Sequence, residues 1–308
     1  IVSPSDQWMY ISSNGSLTAG RRNRDNALFP YYTVDKIHDY RGITGSSTSI
    51  LCRKNNREYL WEPFLKQDDG LYATERSIYK NLYGNKLIFS EYNRDLDLEF
   101  NYQWSNSNNY GFIKTSWIIN RSTVESHIRV LDGIKNILPA GTGYKFQNEF
   151  SNLLDAYKKN ELLEESGIGL YTLSSIPVDR PEPSEALYAN IVFCLGLDKP
   201  AILISGHQID KFREGSLPVT ETDVRAARGN YFVVTDFTLK AGDEKDWMMI
   251  ADVSMDASRI RELHHQIVNN PGLTGEIKAE ISRGTESLKK IISSADGLQY
   301  TDCKICTT

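Results

Sequence analysis

Leu96-Asp97-Leu98-Glu99-Phe100-Asn101-Tyr102-Gln103-Trp104 alternates apolar and polar residues without a slip. Successive side chains on a pleated backbone point to opposite faces, so period two marks a half-buried strand. The same pattern surrounds it. Leu87, Ile88, Phe89 and Tyr92 precede it, and Ile113, Thr115, Trp117 and Ile119 follow, with Asn108-Asn109 marking the intervening turn. A meander of this kind buries one face and wets the other, so the expected fold is mainly β, with antiparallel sheet packed on sheet.

Working outward, short strands are predicted over Ser49–Arg53, Glu58–Trp61, Val124–Leu131, Leu170–Leu173, Leu187–Leu195, Ile202–Ile204, Tyr231–Leu239 and Trp247–Val253. Asn14-Gly15, Asp69-Gly70 and Asp132-Gly133 read as turns, the last one ending its strand. Leu153, Leu154, Tyr157, Leu162 and Leu163 recur at helical spacing, predicting a helix over Ser151–Glu165 with Lys158 and Lys159 on a solvated face. Thr220–Asp223 is read as opening a helical turn that runs to Arg228. At Asp256 the period changes. Ile260, Leu263 and Ile267 form one amphipathic helix that Asn269-Asn270-Pro271-Gly272 stops, and Ile277, Ile281, Leu288 and Ile292 form a second. The expected organisation is a β domain over residues 1–254 and a helical linker segment over 255–308. With little chain after them, the two helices are expected to lead toward something absent.

The chain has 308 residues and a net charge of −5, with its cations dispersed, which excludes the electrostatic footprint of a nucleic-acid binder. No apolar run approaches the roughly twenty residues of a membrane span, so neither nucleic acid nor membrane is an expected partner. Four cysteines, Cys52, Cys194, Cys303 and Cys306, are too few for a disulfide scaffold and favour a reducing, cytoplasmic setting. Ile1-Val2-Ser3-Pro4 reads as a trimmed front end.

Candidate chemistry is sparse. Asp95, Asp97 and Glu99 at alternate strand positions would stand about 6.6 Å apart along the backbone, a gap like that between the carboxyls of an inverting glycosidase. The simpler reading is the polar face of an exposed strand. His38, His127, His207, His264 and His265 show no metal-ligand spacing, and Cys303-Lys304-Ile305-Cys306 is a lone CxxC at the terminus. No nucleophile elbow or phosphate loop is present. No catalytic residue, metal or cofactor is therefore assigned. The best ligand- or interface-facing stretch is Arg21, Arg22, Arg24, Asp25 and Asn26 beside Tyr31 and Tyr32, with Trp61 as a further candidate. Guanidinium and amide groups fork onto sugar hydroxyls or phosphate, and rings stack on them; the competing reading is a loop held by its own Arg–Asp pairs, and for Trp61 core packing. Seventeen tyrosines and five tryptophans suit such a ligand and suit strand packing equally.

Four phrases carry a family resemblance: Ile11–Arg21, Asn26–Thr33, Leu131–Pro139 and Trp247–Val253. Together they resemble the amino-terminal region of the bacterial cellobiose/chitobiose phosphorylase group, formerly called glycosyltransferase family thirty-six. The resemblance spans nearly the whole chain but includes no catalytic signature. It implies a galactose-mutarotase-like β super-sandwich joined by a helical linker to an (α/α)6 barrel, which holds the catalytic residues and is absent here. The implied partners are carbohydrate, that barrel and a second copy in a homodimer. On this reading the chain is a non-catalytic module of a glycoside phosphorylase or hydrolase that shapes the substrate entrance and interdomain or dimer contacts. The tail Tyr300–Thr308 departs from the pattern of a continuing linker. Two alternatives stand beside it: a self-sufficient mutarotase-like epimerase, with His127 and Glu149 as acid and base, and a free-standing carbohydrate-binding module.

Overall fold

A computed structural model describes residues 1–54, 57–65, 70–149, 151–175 and 187–295. Cys303, Cys306, Asp69 and the terminal tail lie outside them.

Alternation becomes architecture first in the meander. β5 (Thr74–Lys80), β6 (Leu87–Asn93), β7 (Leu98–Ser107) and β8 (Gly111–Asn120) are sequential antiparallel neighbours. They continue into β16 (Glu244–Asp256), β12 (Tyr188–Leu195), β11 (Ile168–Leu173), β10 (Lys158–Leu163) and β14 (Asp223–Arg225), giving a nine-stranded sheet. A five-stranded sheet faces it, in the order β13 (Ala201–Leu203), β15 (Gly229–Leu239), β9 (Ser126–Ile137), β3 (Gly45–Lys54), β4 (Arg57–Trp61). A separate hairpin pairs β1 (Gln7–Ile11) with β2 (Leu17–Arg21). The helices are α1 (Val34–Ile37), α2 (Tyr144–Glu149), α3 (Ser151–Tyr157), α4 (Ile209–Arg213), α5 (Ala257–Asn269) and α6 (Leu273–Ser294).

The apolar positions of β7 fill the space between the sheets. Leu98, Phe100, Tyr102 and Trp104 are buried there with Ile50, Ile128, Val130, Tyr231 and Val233 from the opposite layer. Trp247, Met249 and Ala251 of β16 point into the same core, whereas Met248 and Ile250 point outward beneath Leu263, Leu273 and Ile277 of α5 and α6. A strand covered on both faces needs no alternation, which explains the unbroken apolar run Trp247-Met248-Met249-Ile250-Ala251. Each large side chain so buried contributes about 1.5–3 kcal/mol. On the far side of the five-stranded sheet, Ile209 and Phe212 of α4 cover Leu51, Leu131 and Phe232.

One charged cluster pins the two layers together. Asp132 on β9 accepts from Lys114 Nζ (2.5 Å) and Ser116 Oγ (2.8 Å) on β8, Thr48 Oγ1 (2.6 Å) on β3 and Trp247 Nε1 (2.8 Å) on β16. Burial lowers the Lys114 pKa, and the Asp132 carboxylate opposes that shift. Four donors on one carboxylate satisfy the buried charge, the condition under which such a pair is tolerated.

Several expectations are corrected. Asp95, Leu96 and Asp97 form the turn before β7, with Asp97 in the left-handed region (φ 55°), so the three carboxylates do not share a strand. Asp97 instead meets Lys54, and Glu99 meets Arg121. The helix ends at Tyr157, and Lys158–Leu163 is strand, with Lys158 buried rather than solvated. Residues 223–225 form a strand instead of a helical turn. β9 runs through Asp132-Gly133 to Ile137. The apolar stripes of α5 and α6 pack on the outer face of the nine-stranded sheet. Among the described residues no helix is long and apolar enough to cross a membrane.

Candidate functional site

The β1–β2 hairpin turns at Asn14-Gly15, where Gly15 adopts φ 84° and the Asn14 amide oxygen accepts the Ser16 N–H. Arg21 ends β2. After it, Arg22 takes the left-handed conformation (φ 60°), and Asn23 Oδ1 accepts the backbone N–H groups of Asp25 and Asn26. This Asx turn folds the polar stretch back so that Ala27 bridges Gly20. A Cβ on Gly20 would lie 2.4 Å from the Asn26 carbonyl oxygen and 2.5 Å from the Trp8 ring, so only glycine permits the reversal.

That reversal aims Arg21 at the end of β16. Its Nε donates to Asp252 Oδ1 (2.7 Å) and its Nη2 to Asp252 Oδ2 (2.9 Å). Nη1 reaches Asp6 (2.9 Å), and Nη2 also reaches the Asn108 carbonyl (2.8 Å). Burial raises the Asp252 carboxyl pKa, and the guanidinium partly offsets the rise. For Arg21, burial acts to lower the pKa, but hydrogen bonds and charge from Asp252 and Asp6 outweigh it, and the net shift is upward. The pair thus ties the hairpin, the β7–β8 turn and β16 together. The fork fixes the direction of both Asp252 oxygens.

Beside the clamp lies a cleft of about 920 Å³. Arg22 and Asn26 line one wall, the Asn108–Tyr110 turn another, and the β16 end with the first turns of α5 the rest. Ser254, left-handed at φ 55°, bends the end of β16, and its N–H donates to Asn190 Oδ1. Asp256 caps α5 by accepting the Arg259 N–H (2.8 Å), while Arg259 pairs with Glu262 (2.7 Å) and donates to the Asn109 carbonyl (3.1 Å). Arg22 remains 79% exposed, with Asp6 at 3.4 Å, and Tyr188 stands 54% exposed at the rim. The wall therefore offers amides, a solvent-facing guanidinium and a ring, a set suited to holding hydroxyl groups. Among the described residues no group of three or more His, Cys, Asp or Glu could hold a metal ion.

Of the residues singled out in the sequence, the structure brings Arg21, Arg22 and Asn26 to this cleft. Arg24 stacks its guanidinium over the Tyr144 ring (4.3 Å), and Asp25 accepts the Tyr144 N–H (2.8 Å). Tyr31 sits edge-on to both Trp8 (5.6 Å) and Tyr144 (5.7 Å). These three fasten α2 to the hairpin. Tyr32 stacks on Tyr40 (3.6 Å), and burial pushes its hydroxyl pKa up to about 12. Trp61 is a correction: it is fully buried and donates to Glu91 Oε1 (2.9 Å), so it faces no ligand in the cleft. His127 lies by Asp236, Glu149 pairs with Lys145, and neither lines the cleft beside Arg21. Sequence reading missed Asp252, Arg259 and Glu262. Asp252 is a lone carboxylate beside the apolar run of β16, which does not by itself name its partner 231 positions away.

No protein-family model matches the chain, and no curated protein sequence does either. Solved structures do. The chain is similar to a polysaccharide lyase, with TM-score 0.51 and 9% identity over 85% of this chain and 34% of that one. It is also similar to a bacterial glucoamylase complexed with acarbose, with TM-score 0.48 and 8% identity over 96% of this chain and 37% of that one. A galactose mutarotase-like protein from Lactobacillus casei gives TM-score 0.40 and 9% identity over 82% of this chain and 98% of that one. The chain spans about a third of the length of the lyase and the glucoamylase. The lyase match shows a shared fold. The class is thus a mainly β, antiparallel super-sandwich followed by helices.

Proposed function

We propose that this chain is the non-catalytic sandwich portion of a carbohydrate-active enzyme of the cellobiose/chitobiose phosphorylase type. Residues 1–254 are its sandwich domain, and residues 255–308 lead toward a helical (α/α)6 barrel that supplies the catalysis. The cleft beside Arg21 contributes to the substrate entrance, and the surfaces around it meet the barrel or a second copy. One observation carries the reading: each carboxylate that lines the cleft, Asp6, Asp252 and Glu262, is paired with an arginine, which supports a binding role over a poised acid and base. Shared fold alone does not assign activity, so the site's chemistry has to.

The test uses the 308-residue chain itself. With methionine methyls labelled, cellobiose or chitobiose should shift the Met255 resonance saturably, because Met255 lines the cleft, and Arg22→Ala should weaken that binding. The same chain should show no turnover of aryl-glycosides and no interconversion of aldose anomers above background. Turnover by the purified chain would establish the epimerase or hydrolase alternative instead.

A further inference from the structure

A separate hollow of about 320 Å³ opens beside the edge strand β5, lined by Asn14, Arg41, Phe64, Arg76, Ser77 and Ile78 among others. Its size lies at the lower end of small-molecule clefts, which run from about 300 to 1,000 Å³. Glu91 on β6, fully buried, builds its back. It accepts from Trp61 Nε1 (2.9 Å), the Phe64 N–H (2.7 Å) and Arg76 Nε (2.6 Å). Phe64 is held in the left-handed region at φ 67°, a strained state for a bulky residue. Glu91 grips its amide, and Arg41 Nη2 donates to its carbonyl. Strain maintained by a surrounding network is a mark of ligand sites.

The two arginines differ. Arg76 is matched by Glu91, whereas Arg41 has no carboxylate within ion-pair distance among the described residues, and its Nε is buried without a hydrogen-bond partner. Among the described residues Arg41 is thus a cation of the hollow with no carboxylate beside it, next to an apolar wall of Phe64 and Ile78. Arg41 is half-buried, and its Nε, buried without an acceptor, is the donor that a single anionic group in the hollow would satisfy. A dianion such as a phosphate monoester would overcompensate the one positive charge.

We propose that this hollow binds a carboxylate-bearing saccharide, a uronate residue whose carboxylate meets Arg41 and whose apolar ring face lies on Phe64 and Ile78. The saccharide half rests on the carbohydrate reading given above, while the anion half rests on Arg41.

The test is a titration of the 308-residue chain, labelled at isoleucine and methionine methyls, with sodium glucuronate, glucose, sodium acetate and glucose 6-phosphate at constant ionic strength. Glucuronate should shift the Ile78 methyl saturably, and glucose should bind at least about tenfold more weakly, as expected for loss of a hydrogen bond to a charged group. Acetate should be weaker by a similar factor for want of the ring contact. Arg41→Gln should abolish saturation. Ser77→Glu, at an exposed position on the hollow's rim, should weaken glucuronate binding without touching the core. Absence of a saturable Ile78 shift, equal or tighter binding of acetate, glucose or glucose 6-phosphate, or undiminished binding in either variant would overturn the proposal. The Met255 methyl separates the two sites. A Met255 response to cellobiose without an Ile78 response to glucuronate defeats this inference alone, and the converse defeats the reading of the larger cleft.

Discussion

Arg21 grips Asp252 across 231 residues of chain, through two parallel hydrogen bonds of 2.7 and 2.9 Å. The carboxylate is 3% exposed and the guanidinium 15%. Removing one partner of such a pair strands the other, at a cost of about 3 kcal/mol. Arg21→Ala should lower the urea midpoint accordingly at pH 7, and Arg21→Ala with Asp252→Asn should recover part of the loss. The pH dependence has a definite sign. Burial raises the Asp252 pKa above its ordinary 3.8, and the variant lacks the guanidinium that opposes the rise. A folded carboxyl with a raised pKa penalises folding when ionised, so the variant's deficit should shrink as pH falls from 7 toward 4.

Lys114 and Asp132 give the second prediction. Lys114→Met leaves the Asp132 carboxylate with three neutral donors inside a dry core, and stability should fall by about 3–5 kcal/mol. Adding Asp132→Asn removes the stranded charge and should restore a measurable share. Chemical denaturation of the single and double variants checks both. A double variant no more stable than Lys114→Met would mean that the lysine stem, rather than its charge, holds the sheets together.

The thiols provide a third. Burial pushes the Cys52 pKa up from 9.0 to about 11 and raises that of Cys194 as well. Little thiolate exists at pH 8, so iodoacetamide should leave both unmodified in the native chain and alkylate both in urea, as read by peptide mass mapping. The Cys52 contribution to stability is fully present below pH 9 and is lost as pH rises through about 11, because the unfolded thiol ionises first.

The meander and β16 were legible because burial leaves a direct imprint: alternation where one face is wet, and a continuous apolar run where both are covered. The same physics hid β10. Leu162 packs between the sheets and Leu163 packs under the helices, so two adjacent leucines imitate a helical stripe. Thr220–Asp223 resembles a helix start, yet Glu221 accepts the Ile204 and Ser205 N–H groups (3.0 and 2.9 Å) and is thereby tied to the end of β13. At the candidate site the local turn at Arg21–Asn26 was readable from its Asn, Asp and Arg residues. Its counter-ion, 231 positions away, left no local pattern to read. Trp61 allowed both a ligand-facing and a core reading in the sequence, because its acceptor, Glu91, lies thirty residues on.

Gly133 supplies the last prediction. Asp132-Gly133 reads as a turn, but the structure places it within β9, paired with Ser47 on one side and Phe232 on the other. The missing side chain is the reason the strand can continue. A Cβ at Gly133 would stand 2.2 Å from the Tyr231 carbonyl oxygen and 2.4 Å from Phe232 Cδ1, and neither backbone nor buried ring has room to retreat. Overpacking of a core costs about 1–3 kcal/mol, and a backbone clash this close belongs at the upper end. Gly133→Ala should therefore cost about 3 kcal/mol in urea unfolding. Gly284 in α6 is the matched control, with nothing within 4 Å of its Cβ position. There, replacement by alanine should stabilise the chain by about 0.8–1 kcal/mol through helix propensity alone. If Gly133→Ala proved neutral or stabilising while Gly284→Ala behaved as expected, the close approach of β15 to β9 at Gly133 would be wrong.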